Sequence, residues 1–348
     1  LYITDCALTS FKSQMIRHFK YLRILYIDNL PSMKFDSNNL NEMHELYQLT
    51  VNNIYIGSTI NLKLNQTNSK NLIQLDLDNN QINYLDRESL SLLINLRELT
   101  LNYNKISFLD DRTFEDMIFL KKIHFDNNQI KKISNLAFHG LKQLTHLYLA
   151  SNQIEYFNEE VFYPLENLRR LDITDNTLKS LADIPFSRLL SLRDLQSNGW
   201  IYDLNIGKHT NDCQMRDIGC DLTLNLQQST SPNTNINKIS LGCLNNFNRL
   251  KLNFDSITKL NENKVKVELD GIKRLKELIL DENEIGNFKQ FHLISTNITG
   301  DIDVLSLFKN QIKKKHSIEF NLKEKQKNLN LSNKKIESNE KVDLQLIS

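Results

Sequence analysis

The 348-residue chain carries 43 Lys and Arg against 42 Asp and Glu, a net charge of +1. That balance provides no overall field for holding a polyanion, and no stretch reaches the 18 or more apolar residues of a membrane span. The length would accommodate two or three ordinary domains, or one array that grows by adding units, so internal repetition decides between them.

The chain opens on Leu1-x-Ile3-x-x-Cys6-x-Leu8, followed by Phe11, Ile16 and Phe19. Leu22-x-x-Leu25-x-Ile27-x-x-Leu30 and Leu46-x-x-Leu49-x-Val51-x-x-Ile54 follow in the same phase. The full form begins at Leu72, as Leu72-x-x-Leu75-x-Leu77-x-x-Asn80-x-Ile82, and copies open at Leu96, Leu120, Leu144 and Leu168, each 24 residues on. A fixed period with an L-x-x-L-x-L-x-x-N core is the signature of a stacked leucine-rich array. The opening is then a truncated repeat with Cys6 at the Asn position, where a buried thiol is expected. No N-terminal cap precedes it and a signal peptide cannot be assessed, so the chain reads as a fragment. The interval from Leu46 to Leu72 is 26, which predicts a bulge between Thr59 and Ser69 on the convex side.

Each unit supplies a short strand, a turn carrying the Asn, and a return segment. The return segment has its own column: Phe114, Phe138, Phe162 and Phe186 fall 24 apart, as do Met117, Leu141, Leu165 and Leu189. No unit buries these alone, so stacking is what folds the chain. The predicted class is an α/β leucine-rich repeat solenoid, a curved horseshoe with parallel strands on its concave face and an irregular C-terminal half. Asn80, Asn104, Asn128, Asn152 and Asn176 are expected to form a ladder whose amides satisfy backbone groups buried in the turns.

Period two along a strand sends the alternate residues outward. The outward set includes Asp76, Asp78, Asn102, Tyr103, His124, Asp126, His146, Tyr148, Arg170 and Asp172. Carboxylates and hydrogen-bonding groups around two rigid aromatic side chains make a ligand-binding surface of Asp76, Asp78, Asn102, Tyr103, His124, Asp126, Tyr148 and Asp172. The competing reading is that these polar residues only keep a strand face soluble. A metal site from His124, Asp126 and His146 would lack the outer groups that fix ligands on a flat sheet.

At Leu192 a unit starts as Leu192-x-x-Leu195 and then loses the pattern between Gln196 and Trp200. Residues 200–246 hold Cys213, Cys220 and Cys243, and the polar run from Gln227 to Asn235 reads as a loop. Phe247-x-x-Leu250-x-Leu252 and Leu275-x-x-Leu278-x-Leu280-x-x-Asn283 resume the pattern, and Leu329-x-Leu331 is its faintest return. The expected organisation is regular repeats over 1–199, an irregular Cys-containing segment over 200–246, degenerate repeats over 247–308, and a Lys-rich tail over 309–348. The tail carries a balance of +5 and is expected to be a last faint repeat or disordered.

Motifs for chemistry are missing: there is no P-loop, G-x-G-x-x-G, H-E-x-x-H or C-x-x-C. Neither an enzyme nor a cofactor is therefore expected, and an open sheet offers few converging groups. The tail has no Arg and a single aromatic, Phe320, so nucleic acid is not an expected partner.

The 24-residue unit with its Phe, over about residues 1–200, resembles the typical class of leucine-rich repeats in Toll-like receptor ectodomains, Slit-like ligands and secreted insect leucine-rich immune proteins. That resemblance implies an extracellular protein-recognition role in innate immunity or receptor signalling, with a protein or other macromolecular ligand on the concave face. Such arrays close on a Trp followed by a C-x-C pair; here Trp200 is followed only by Cys213 and Cys220. Three candidate disulfide cysteines, Cys213, Cys220 and Cys243, leave one free or bridging a homo- or heterodimer. Candidate glycosylation sites are Asn65, Asn297 and Asn330, each in an N-x-S/T triplet. Two alternatives stay open, an intracellular scaffold that positions a partner enzyme and a matrix-binding structural protein. Membrane attachment is not decided by the sequence.

Overall fold

Strand formation here is local and stacking is not: a five-residue L-x-L segment alternates inward and outward, but its inward side chains find cover only against the next turn. The computed structural model describes residues 1–178 apart from 7, 11–17, 34, 36–39, 41–42, 61–68 and 86, then 184–185, 189 and 191–198, and beyond these the backbone of strands alone. Two compact units result, Leu1–Asp172 and Ile173–Ser348.

In the first unit the strands are β1 (Tyr2–Thr4), β2 (Ile24–Asp28), β3 (Gln48–Asn52), β4 (Gln74–Asp76), β5 (Glu98–Thr100), β6 (Phe108–Leu109), β7 (Lys122–His124), β8 (Lys132–Ile133), β9 (His146–Tyr148) and β10 (Arg170–Asp172). All but β6 and β8 form one sheet in the order β1-β2-β3-β4-β5-β7-β9-β10. Pairing is parallel and in register, so Leu75, Leu99, Ile123, Leu147 and Leu171 stand in a single row. β6 and β8 pair in a second small sheet on the return side. On the return side α1 (Arg87–Leu90) is a single α-helical turn.

The core is the set of rows that the spacing predicts. Leu72, Leu96, Leu120, Leu144 and Leu168 are buried, and so are Met117, Leu141 and Leu165. Phe114 stacks on Phe138 with ring centroids 6.5 Å apart, and Phe138 on Phe162 at the same distance, interplanar angles being 17° and 6°. Three near-parallel rings thus run along the stacking axis; Phe186 lies outside the described residues. In the two early units with apolar residues at the Asn position, Leu30 and Ile54 are buried in its place.

Cys6 departs from expectation. Its side chain is exposed and its thiol is free. The turn that holds it follows β1, which pairs with β2. Of the bulge between Thr59 and Ser69, residues 61–68 lie outside the described residues; Thr59 bridges Tyr84 and Ile60 is buried.

The second unit alternates two parallel sheets. One joins β11 (Asp194–Asn198), β13 (Cys220–Gln227), β15 (Asn246–Asn253), β17 (Arg274–Ile279), β19 (Val304–Ser306) and β21 (Leu329–Asn330). The other joins β12 (Leu204–Asn205), β14 (Lys238–Ser240), β16 (Lys264–Glu268), β18 (Gln290–Ile294), β20 (Ser317–Asn321) and β22 (Leu344–Leu346). Leu250, Leu278, Leu305 and Leu329 align from strand to strand, so the weak units resume in one phase. β13 and β14 run through the segment where the sequence shows no repeat.

Candidate functional site: the open sheet face

Successive turns place the outward residues of the first unit in columns along the stacking axis. The column one residue after the inward row Val51, Leu77, Leu101, Phe125 and Leu149 has a job inside the fold. Asn52 Oδ1 accepts the backbone N–H of Asp78 at 3.0 Å, Asp78 Oδ1 that of Asn102 at 2.6 Å, Asn102 Oδ1 that of Asp126 at 2.8 Å, and Asp126 Oδ1 that of Ala150 at 2.8 Å. Asp78, Asn102 and Asp126 are therefore half-buried rungs as well as surface groups.

Deeper in the turn runs the column of the repeat Asn residues. Asn104 Oδ1 accepts from Asn80 N and Ile82 N, and its Nδ2 donates to the carbonyls of Leu77, Leu101 and Asn102. Asn128 takes the N–H of Ile106 at 3.1 Å and donates to Leu101 and Phe125. Asn152 does the same with Ile130, Phe125 and Leu149, and Asn80 with Ile54 and Val51. In the second unit Asn176 donates to the carbonyls of Ile173 and Thr174.

Between the two columns sits one residue per turn with positive φ. It is Asp5, Asn29, Asn53, Asn79, Tyr103, Asn127, Ser151 and Asp175 in turn, with φ between 50° and 58°. Asn and Asp tolerate this left-handed conformation, because their short polar side chains bond locally; a bulky ring does not. Tyr103 belongs to this turn column rather than to a strand, and the residue is 58% exposed. Asn53 instead donates across the column to Asn29, and Asn29 to Asp5.

The middle of the face is aromatic and cationic. His124 and Tyr148 stack at 4.3 Å with an interplanar angle of 11°, and the guanidinium carbon of Arg170 lies 5.5 Å from the Tyr148 centroid. Tyr148 is thus held between two planar groups from the neighbouring turns, an arrangement favoured by cation–π attraction on one side. His146 stands 6.2 Å from the same ring. Glu98 approaches both Lys122 and His124 at 3.7 Å. Burial lowers the His124 pKa against the pull of Glu98, which favours the neutral ring.

Burial acts in the opposite sense on the carboxylates. It raises Asp78 to about 7, helped by the neighbouring charge of Asp76, and Asp126 to about 6, with Asp172 adding repulsion. Asp76 is raised too, burial again leading. The acids gather at the C-terminal ends of the strands. At the N-terminal ends the residues facing solvent are Arg97, Lys121 and Arg169, with Lys122 and Arg170 beside them. That basic edge did not enter the candidate set drawn from alternation, although its phase, one residue after the first Leu of the unit, was readable.

The eight candidate ligand residues all lie in the first unit, seven on the sheet face and Tyr103 at its rim. His124, Asp126 and His146 do not come together as donors; among the described residues no group of three His, Cys, Asp or Glu could hold a metal ion. The side chains of Cys213, Cys220, Cys243, Asn65, Asn297 and Asn330 lie outside the described residues. No described helix is long and apolar enough to cross a membrane.

Residues 94–154, spanning the most regular turns, match the family described as leucine rich repeat. The chain is a leucine-rich repeat protein. No curated protein matches its sequence. Among solved structures, this leucine-rich repeat protein is similar to the one titled as a TLR13–ssRNA13 complex, with 20% identity and a TM-score of 0.61. That match covers 90% of this chain and 49% of the other, so the chain spans about half the length of that relative. A second similarity is to a chain of the octameric complex of Latrophilin 3, Unc5D and FLRT2 (LRR), with 20% identity, a TM-score of 0.50, and 82% and 78% of the two chains covered. At such identity the likeness concerns the fold.

Proposed function

We propose that this leucine-rich repeat protein is a non-enzymatic, extracellular protein-recognition module that binds a macromolecular ligand on the sheet face of its first unit, in innate immunity or receptor signalling. The observation that carries the reading is the His124–Tyr148–Arg170 stack. Large planar side chains fixed against one another lose little entropy on contact, and they sit amid charges of both signs, as at protein interfaces. The similar structures agree in kind, since one is titled as a complex with single-stranded RNA and the other as a complex of three proteins.

The test is capture of the partner from the native source by the immobilised full chain. The double variant His124→Ala, Tyr148→Ala is expected to lose the co-purifying species, and Tyr156→Ala, on an exposed return-side ring, to keep it. Equal capture by both would move the site off the sheet face.

An intracellular scaffold, with its thiols kept reduced, is the second reading. Intact mass from the native source, before and after deglycosylation and reduction, separates the two. Glycan mass with a disulfide shift is expected for the extracellular module, and four free thiols with no glycan for the scaffold.

A further inference from the structure

The regular units enter their strands through a tight turn closed by one backbone bond. The N–H of Leu72 donates to the carbonyl of Ser69, that of Leu96 to Leu93, Leu120 to Met117, Leu144 to Leu141 and Leu168 to Leu165. The two middle residues of each turn lie outside the core: Lys70-Asn71, Ile94-Asn95, Ile118-Phe119, Lys142-Gln143 and Glu166-Asn167. The second member has a structural use where it is Asn. Asn71 Nδ2 donates to the carbonyl of His44 at 2.6 Å, and Asn95 and Asn167 donate to those of Lys70 and Lys142 at 2.8 Å.

Phe119 breaks that column. A phenyl ring has no amide to give the carbonyl of Ile94 one turn back, and the residue is left 40% exposed. Ile94 and Ile118, the first members of two successive turns, are 37% and 50% exposed. Apolar residues scattered singly over a surface are ordinary, but a contiguous group with a polar rim marks a contact surface. The rim here is cationic. Lys70 and Lys142 take the turns on either side, and Arg97 and Lys121 follow Asn95 and Phe119 by two residues, side by side, since Lys121 N–H donates to the Arg97 carbonyl at 2.8 Å. All four are exposed, and none is in an ion pair among the described residues. The nearby acids are spent or distant. Glu115 and Asp116 are bonded to Arg87, Glu98 is approached by Lys122 and His124, and Glu45 and Glu166 stand one turn beyond the cations.

Charge thus selects an anionic occupant, and the patch selects how it is held. Single-stranded nucleic acid needs planar faces on which successive bases stack, and Ile94 and Ile118 offer none beside the one ring of Phe119. A lipid surface needs an apolar face that sinks into the bilayer, whereas these residues lie half-covered in two-residue turns. An acidic peptide with one large apolar side chain meets both demands, its apolar group on the patch and its carboxylates on the rim.

We propose that the strand-entry turns of the first unit dock an acidic segment of a protein partner, anchored by one large apolar side chain among Ile94, Ile118 and Phe119 and held by the four cations around them. The surface lies five residues up the chain from His124, and the inference does not rest on the sheet-face reading.

The experiment uses the full chain and three labelled, end-capped peptides of about 12 residues. The first has a central Phe among Glu and Ser, the second Ser in place of that Phe, and the third Lys in place of every Glu. Fluorescence anisotropy is expected to show the first binding roughly tenfold tighter than either other, its margin over the third shrinking at high salt. Phe119→Asn, which supplies the residue of the neighbouring turns, is expected to keep the parent's circular dichroism and to bind the first peptide no better than the second. Should that variant lose the parent's spectrum, Ile118→Ser carries the same expectation. Lys121→Glu, Lys142→Glu is expected to reverse the preference between the first and third peptides. Equal affinities for the first two peptides, including no binding of either, overturn the proposal, as does undiminished binding by the folded patch variant. It is overturned too by an oligouridylate of about 12 nucleotides or a vesicle of phosphatidylserine and phosphatidylcholine that displaces the first peptide at lower concentration than the unlabelled peptide does. Sedimentation showing a parent dimer that Phe119→Asn dissolves would give the patch to a second copy of the chain and overturn it likewise.

Discussion

Asp126 accepts the backbone N–H of Ala150 at 2.8 Å, and there the column of bonded side chains stops. Asn52, Asp78, Asn102 and Asp126 each hand a backbone amide of one turn to a side-chain oxygen of the turn before. Ala150 has no oxygen to continue the series. A position that faces outward thus serves the interior, because an amide at the lip of the turn would otherwise lack a partner.

Asp78 accepts the Asn102 amide on Oδ1 and the Asn102 side chain on Oδ2 at 3.3 Å, but burial and the neighbouring charge of Asp76 outweigh both and oppose its negative charge. A carboxyl whose folded pKa is raised holds its proton longer in the folded state than in the unfolded chain. Stability then falls as pH climbs through the window from about 4, the unfolded value, to the folded value of about 7. The Asp78→Asn variant keeps the acceptor and is expected to unfold at higher denaturant than the parent at pH 8, with the gap closing toward pH 4. Asp126→Asn behaves alike over a narrower window, its folded value being about 6. Urea midpoints across that range decide it; a parent chain that grows more stable from pH 5 to 8 contradicts the assignment.

Asn128 bonds the turns on either side of Leu101 and Phe125, accepting from Ile106 and donating to both carbonyls. Asn128→Ala strands at least one of these buried groups, and a cost of about 1–3 kcal/mol is expected in chemical denaturation. Asn128→Asp retains the acceptor and loses the donors, so its deficit reports the carbonyl half of the rung. Parent-like stability in both variants would remove the ladder from the account of the fold.

The fold was legible because each inward position repeats at one phase: Leu72, Phe114 and Asn80 announce a strand, a return segment and a turn. The candidate site was legible only in outline. Period two puts Asp78, Asn102 and Asp126 outward and says nothing of the amide one turn on, so the sequence does not reveal that three of the candidate ligand residues are also rungs. The strand rule likewise places Tyr103 on the sheet, whereas it occupies a left-handed turn that Asn79 and Asn127 mark in the adjacent units. Cys6 was read through the Asn column, whereas its side chain is exposed in the turn after β1. Between Gln196 and Phe247 the motif fades, yet β13 and β14 form there, because parallel pairing needs a backbone in register more than it needs leucine.

Gly140 carries φ of +92°, and a Cβ there would fall against the backbone of Glu115 one turn back. The atoms met are main-chain atoms of Glu115, so no flexible side-chain end can swing aside to make room. Gly140→Ala is therefore expected to lower the stability of the array by at least about 1–3 kcal/mol, through backbone strain and displacement together. A thermal midpoint within a degree of the parent would show that the return segments yield more easily than this packing implies.

Shortening the Phe row tests the return side from within. Phe138 lies between Phe114 and Phe162 and is fully buried, so Phe138→Ala removes contacts to two turns at once. A loss of about 3–5 kcal/mol is expected, the range for a buried ring reduced to a methyl. Calorimetry that finds less than about 1 kcal/mol would mean the cavity collapses, which the near-parallel stacking of the remaining rings resists.

Tyr103 sets folding against binding. Its backbone holds φ of 54° at a position filled by Asn in four other turns, while the residue is 58% exposed. A left-handed conformation costs a bulky residue about 1 kcal/mol more than it costs Asn, and an exposed ring returns little of that through burial. The Tyr103→Asn variant is accordingly expected to be more stable than the parent by roughly 0.5–1 kcal/mol. If the ring is kept for contact at the rim of the sheet face, the same variant captures less of the native partner, and Tyr103→Phe, which keeps the ring, captures as much as the parent. Stability and capture must move in opposite directions for the ring to be a binding element. A Tyr103→Asn chain that loses both is one in which the ring supports the turn itself, and the rim then belongs to the fold.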